Sequence, residues 1–554
     1  MNLPEAPPRQ HGVAASRLKK LAWPEMALAV LAGAAQAASL AWPESLQSPL
    51  LLLLLGLRPG QPVWWLQLLA LAVLAGLLGR LRPDGGPHPT LGNWRLAVRL
   101  AWLFATAWLA GTVGWTYVAL HTYGGLPSLM AALAVLALAG LLALFYAGIC
   151  GLFVVLAPVK RAWSAIVFAA LWLMAELARG TWLSGFGWGA AGYAHVEGPL
   201  AGFAPWLGVY GLCAISAWLA LTLADVAWLD RGQSWRQRLA GPLAALLLLS
   251  LPVGARLLAP DWSRSSGRLG VTLLQGNIPQ DEKFESGSGV PLALRWYAEQ
   301  LLGSRSSLVV APETAIPLLP QQLPPGYWEA LQQRFAAGQQ AALLGMPLGN
   351  FQQGYTNSVV GLKPAQAQPW RYDKQHLVPF GEFIPPLFKW FTAMMNIPLG
   401  DFNRGALRQA PFEWQGQRLA TNICYEDLFS EELAPAFADP AMAPTILVNI
   451  SNLAWFGHSL AMDQHLQIAR MRALEFERPF VLATNTGVSA LVDHRGRVEG
   501  SIARNSRATL VGEVEGRTGV TPYAGWVARV GLWPFWLLAI SIVLLAMRAG
   551  LRKH

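Results

Sequence analysis

Eight apolar runs, each near the length of a membrane-crossing helix, dominate this chain: 24–42, 62–80, 98–120, 128–157, 162–179, 203–229, 238–258 and 530–547. A bilayer's hydrocarbon core is about 30 Å thick and takes about 20 helical residues to cross. No water reaches it to satisfy backbone N–H and C=O groups, so such runs fold as helices. Seven come first, then a long mixed stretch, then the eighth. The leucine run at 48–57 is too short to cross alone; it is expected to be re-entrant or part of a shifted second span. Only 13% of the 554 residues are charged, against about 25% in soluble domains. The 26 tryptophans suit a chain with two membrane–water interfaces.

Basic residues orient these spans. Arg9, Arg17, Lys19 and Lys20 precede the first; Arg80, Arg82, Arg95 and Arg99 lie between the second and third. Lys160 and Arg161 join the fourth to the fifth, Arg231, Arg236 and Arg238 the sixth to the seventh, and Arg548, Arg552 and Lys553 end the chain. The alternate loops 121–127 and 180–204 carry neither Lys nor Arg. Short basic loops stay cytoplasmic, so both termini are expected inside and residues 259–529 outside. The formal net charge of +10 is therefore a topology signal and not a nucleic-acid patch. No cleavable leader is expected, because the first apolar run follows a long tail without a small-residue cleavage site. Three parts follow: 1–258, a tail and seven spans; 259–529, an exported domain; 530–554, the last span and a short tail.

The exported part alternates strand-like and helical runs. Residues 269–278, 307–313, 341–347, 419–426, 444–451, 480–487 and 489–496 read as short strands bounded by turn residues. Residues 463–478 have helical spacing with charges on one face. The combination predicts one α/β domain with sheets between helices.

Three strand ends bring chemistry. Glu313 closes "SLVVAPE", Lys374 lies in "YDKQHLVPFGEF", and Cys424 closes "LATNIC". A thiol at neutral pH needs a base or a positive neighbour to become nucleophilic. A carboxylate takes its proton, and a lysine steadies the oxyanion formed on attack at a carbonyl. Spacing alone does not require the three to meet, and a lone cysteine is more often a small hydrophobe. Cys150 and Cys213 fall within expected spans, which leaves Cys424 without a partner in its own domain. His376, His458 and His465 show no ligand spacing with cysteine, and no G-x-x-x-x-G-K-[ST] loop is present. No metal or other cofactor is expected.

Glu176 and Arg179, three apart on one helix face within an expected span, are either a structural pair or a contact for a lipid phosphate. The stretch 383–402 is unusually apolar for a loop; Phe388, Trp390 and Met394 within it are expected to form a membrane lip that admits acyl chains.

Taken together and in order, "APETAIP", "YDKQHLVPFGEF" and "NICYED" resemble the nitrilase superfamily with its Glu–Lys–Cys triad. With seven spans before and one after, the likeness narrows to the apolipoprotein N-acyltransferase family, its membrane-embedded branch. "LLQGNIPQ", "FNRG", "SNLAWFG", "QIARMRALEFERP", "ATNTG", "TGVTPYA" and, in the membrane part, "GWTYVALHTYGG" and "ELARGTWLSGFGW" extend it over nearly the whole chain. Ala311 stands where the family often has Trp, and Leu453 where it often has Asp.

The resemblance implies an integral-membrane bundle of about eight helices carrying a nitrilase-like α-β-β-α sandwich outside the bacterial inner membrane. It implies a ping-pong acyl transfer. Cys424 takes an acyl chain from a phospholipid, expected to be phosphatidylethanolamine, as a thioester. The chain then passes to the α-amine of a lipoprotein's S-diacylglyceryl-cysteine. Glu313 is the implied base and Lys374 the oxyanion holder, with Glu382, Tyr425, Glu426 and Trp455 in support. Two other classes stay open on the residues alone: a membrane-anchored amidase with water as acceptor, told apart by amide hydrolysis, and a non-catalytic scaffold, which Cys424→Ala would leave intact.

Overall fold

The computed structural model describes residues 23–81, 91–156, 161–227, 243–251, 253–254, 261–350, 352–366, 368–384 and 402–551. Among these, four helices are long and apolar enough to cross a membrane: Leu91–Val113, Ser128–Leu156, Ala162–Ser184 and Pro199–Asp225. The bent pair Pro522–Val530 and Trp533–Ala549, which turns through 87° at Gly531 (φ +57°), makes a fifth where the two are counted as one span. The first two expected spans form helices Trp23–Ala38 and Trp64–Gly79 of 16 residues each, roughly 24 Å long at 1.5 Å per residue and short of the bilayer core. The leucine run folds as a seven-residue helix, Pro49–Leu55, that Gly56 (φ +66°) stops. Of the seventh expected span only 243–251 and 253–254 are described.

Lipid solvates leucine as well as a helix neighbour does, so close approach of small residues holds such bundles together. A Cβ at Gly33 would lie 2.1 Å from Phe104 O, and one at Gly111 2.8 Å from Ala37 Cβ. Ser128–Leu156 turns Leu129, Leu133, Leu136, Leu141 and Leu144 outward, exposed from the protein.

Among the described residues, the α/β domain has twelve strands in two six-stranded sheets. They are β1 (Arg264–Gln275), β2 (Leu308–Val310), β3 (Ala341–Asn350), β4 (Gly354–Leu362), β5 (Trp370–Asp373), β6 (Phe412–Trp414), β7 (Gln417–Ile423), β8 (Ile446–Ser451), β9 (Phe480–Thr484), β10 (Ala490–Val492), β11 (Val498–Ser501) and β12 (Ala508–Thr518). One sheet runs β12-β1-β2-β3-β4-β5 and the other β11-β10-β9-β8-β7-β6. Strands β1, β2 and β3 are parallel, as are β7, β8 and β9. Val271, Val310, Leu343, Val448, Ile450 and Val481 fill the space between the sheets. Helices Gly289–Gly303 and Tyr327–Ala337 cover the first sheet through Tyr297, Leu301, Leu331 and Phe335.

The other outer layer is the helix Ala461–Phe476, where helical spacing with charges on one face is expected. Its charged face does not meet water, for Arg470, Arg472 and Glu475 are all buried. One side packs on the second sheet and the other on the membrane bundle. Glu475 Oε1 accepts from Val209 N at 2.7 Å, where Gly208 (φ +60°) breaks the bundle helix. Gln464 Oε1 accepts from the indoles of Trp115 and Trp188. The helix thus needs charges because it caps and bonds a membrane module.

Candidate functional site

Parallel strands send their following loops to one edge of a sheet, where sites collect. Glu313 follows β2, Cys424 follows β7, and Asn452 follows β8. Strand β5 is antiparallel to β4, itself antiparallel to β3, so Lys374 leaves the same edge as Glu313. The structure brings Glu313, Lys374 and Cys424 together there.

The carboxylate of Glu313 is held at both oxygens. Oε1 accepts from Asn357 Nδ2 at 2.7 Å and Oε2 from Asn452 N at 2.8 Å. Lys374 Nζ lies 3.7 Å from Glu313 Oε1 and donates to Glu382 Oε1 at 2.9 Å. Asn357 Nδ2 also donates to Glu382 Oε1 at 2.9 Å, so one amide ties both carboxylates. Burial alone would lower the Lys374 pKa; Glu382 first, then Glu313 and Cys424, outweigh it and hold the ammonium charged. Burial, then the charge of Glu313, pushes the Cys424 thiol well above its ordinary value, with Lys374 opposing. The resting sulfur is therefore a thiol.

Cys424 sits partly buried at the start of a short 3₁₀ turn, Cys424–Leu428, with φ +53°. A non-glycine residue there is strained, a state that persists where surroundings over-determine it. Asn449 Nδ2 donates to Cys424 O at 3.0 Å. Glu426 is the brace. Its Oε1 accepts from Gln375 N and His376 N at 2.7 and 3.1 Å; its Oε2 accepts from Ile423 N and Tyr372 Oη at 2.6 and 2.9 Å. One carboxylate thus fastens the lysine loop to the cysteine turn.

Tyr425 and His376 fasten the site to the bundle. Tyr425 Oη donates to Gly185 O at 2.8 Å, and His376 Nε2 to Ser184 O at 2.9 Å. Trp455 sits edge-on to Tyr123, with ring centroids 5.7 Å apart. Arg179 is buried and spends its donors inside the protein, on Tyr146 Oη, Phe186 O, Trp188 O and Glu176 Oε2. That geometry is the structural pair, not an arginine open to a lipid phosphate. Phe388, Trp390 and Met394 lie outside the described residues. Ala311 and Leu453 are fully buried.

Residues 51–222 match the family of apolipoprotein N-acyltransferase N-terminal domains, and residues 270–523 match the carbon-nitrogen hydrolase family. An apolipoprotein N-acyltransferase of Verminephrobacter eiseniae is 54% identical over 545 residues, 96% of this chain and 97% of that one. The chain belongs to the apolipoprotein N-acyltransferase family. A second relative of that name, from Ralstonia nicotianae, is 42% identical over 88% of this chain and 90% of its own. Among solved structures, a carbon-nitrogen hydrolase from Helicobacter pylori G27 is 18% identical, covering 49% of this chain and 94% of that chain with a TM-score of 0.33. Membership makes the protein a membrane enzyme of the acyltransferase class.

Sequence reasoning missed Asn357, Asn452 and Lys283, whose Nζ donates to Glu313 O at 3.1 Å. It also read His465 as isolated. His465 Nε2 lies 3.0 Å from Asp427 Oδ2, both buried, and Asp427 outweighs burial to raise the imidazole's pKa. A polar residue inside a strand or turn was the available signal. Asn357 stands in β4 just before the apolar run "VVGL", and Asn452 stands in a motif already singled out.

Proposed function

We propose that this enzyme moves an acyl chain from a phospholipid, through a thioester on Cys424, to the α-amine of the S-diacylglyceryl-cysteine that begins a lipoprotein. What carries the reading is the convergence of Glu313 and Lys374 from one sheet and Cys424 from the other at one end of the sandwich, fastened to the bundle, in a chain of this family. Because burial and Glu313 keep the thiol protonated, attack must be coupled to proton removal. Glu313 takes the Sγ proton as sulfur attacks the ester carbonyl. Lys374 faces the oxyanion. Collapse expels a lysophospholipid alkoxide, which takes that proton from Glu313 and leaves the thioester. The acceptor amine then attacks, Glu313 takes its proton, and the departing thiolate recovers it as the amide forms. Glu382 and Asn357 hold Lys374 and Glu313 apart at rest; Glu426 and Tyr425 hold the two loops.

The finer topology belongs to the same reading: about eight spans divided at 258 and 529, both termini cytoplasmic, and the catalytic domain on the periplasmic side of a bacterial inner membrane. Phosphatidylethanolamine is the donor this reading names. The amidase alternative is weaker, since a small soluble amide needs no apolar bundle fastened under the nucleophile.

Intact-mass measurement on protein incubated with phospholipid tests the mechanism. Wild type should gain one acyl group and Cys424→Ser none. Lipoprotein acylation by a wild-type protein that never carries the adduct would rule the thioester out.

A further inference from the structure

Lys283 is a buried lysine that the chemistry above does not use. It sits in the turn 280–284 after β1 and is only 2% exposed. Its Nζ donates to Glu313 O at 3.1 Å. The turn is held rigidly from both ends. Asn452, whose N–H binds Glu313 Oε2, donates through Nδ2 to Gln280 Oε1 at 2.9 Å. At the other end Gly289 closes so tightly that a Cβ there would lie 2.0 Å from Glu282 O. Such a position is built, not incidental, because burying an ammonium is costly unless opposite charge faces it.

The facing charges supply the reason. Glu313 from the end of β2 and Cys424 from the end of β7 both act on Lys283. Behind them stand Lys374 and Glu382. Glu313 and Glu382 are two acidic side chains against the one basic side chain of Lys374, and the thiol lies beside them. Lys283 is the second basic side chain of the cluster.

We propose that Lys283 is a positioning residue for acyl transfer: it holds the Glu313 peptide in place and supplies the second positive charge against which Sγ of Cys424 becomes negative. This rests on the acyl-transfer reading. Burial holds the Lys283 pKa down at about 8, with Glu313 and Cys424 opposing. Its charge therefore fails as pH rises past about 8.

The test uses full-length protein in detergent, as wild type, Lys283→Arg and Lys283→Met. The rate of acyl-enzyme formation is followed by intact mass at limiting phospholipid from pH 6 to 9.5. Lys283→Met should acylate roughly 100-fold more slowly, the low end of the scale for losing one preorganised donor. Wild-type rate should fall above pH 8 as the ammonium deprotonates. Lys283→Arg, which stays charged, should lack that fall. In parallel, iodoacetamide capture of Cys424 should titrate at higher pH in Lys283→Met than in wild type. The inference is overturned if Lys283→Met acylates within about twofold of wild type with an unmoved thiol titration. It is equally overturned if Lys283→Arg keeps the alkaline fall, and that variant decides should Lys283→Met not fold. A wild type that never acylates, with the thiol titration still shifted, would remove the acyl-transfer reading and leave the Lys283–thiol coupling standing.

Discussion

Replacing Glu426 with Gln should slow acyl-enzyme formation while changing stability little near neutral pH, because two effects on stability oppose each other. The carboxylate accepts from four donors: Gln375 N, His376 N, Ile423 N and Tyr372 Oη. A carboxamide keeps one accepting oxygen. Placed toward Gln375 and His376, it leaves its NH₂ facing Ile423 N and Tyr372 Oη. The hydroxyl can turn and accept, but the Ile423 N–H is stranded, a cost of about 1–3 kcal/mol. Against this, burial raises the Glu426 pKa from 4.5 to about 7, although Ile423, Lys374, Gln375 and His376 pull the other way. Each unit is about 1.4 kcal/mol, so ionising this buried group costs ~3 kcal/mol that Gln avoids.

The pH dependence has a definite sign. Between pH 4.5 and about 7 the folded protein keeps a proton on Glu426 that the unfolded chain has released. Wild-type stability from this group is complete below 4.5 and is lost as pH rises through 7. Glu426→Gln lacks that slope, so it should be less stable than wild type at pH 4.5 and within about 2 kcal/mol of it at pH 8. Glu431 and Glu475 are also raised to about 7, so the difference between the two proteins, not either melt alone, isolates Glu426. Catalysis has no such offset. The stranded N–H immediately precedes Cys424, and a shift near 1 Å costs about 100-fold. Thermal melts across pH 4.5–8 beside acyl-enzyme rates at pH 7.5 provide the assay. A variant acylating within twofold of wild type, or retaining the full slope, would refute the brace.

Two further substitutions test the surroundings of the triad. Asn357→Leu removes the shared donor to Glu313 and Glu382; charge-assisted bonds are worth about 1.5–3 kcal/mol each, so acylation should fall ~100-fold while the protein still folds, as read by intact mass and melting. Arg179→Met strands Glu176 and the carbonyls of Phe186 and Trp188. It should lower stability by about 3–5 kcal/mol, a clear drop in melting temperature, and an unchanged melt would show the pair to be dispensable.

Apolar run length made the long helices of the membrane part legible, since it acts locally along the chain. Seven strands were legible for the same reason: β1, β2, β3, β7, β8, β9 and β10 are short apolar runs ended by turn residues. Strand β12 was not, because its partly exposed residues alternate with charge, and neither was β4, which carries Thr356, Asn357 and Ser358 toward polar partners. Glu313, Lys374 and Cys424 stood out as reactive residue types at strand ends. That they meet at one end of the sandwich was decided by strand direction across two sheets, which no local pattern encodes. The same holds for the charged face of Ala461–Phe476, which a helical period would send to water and which the fold instead buries against the bundle. Lys283, Asn357 and Glu426 acquire their roles only from what lies across the fold from them. Hydrophobic periodicity is a property of neighbours in sequence, whereas the field and hydrogen bonds around a thiol are summed over residues as far apart as 283 and 452.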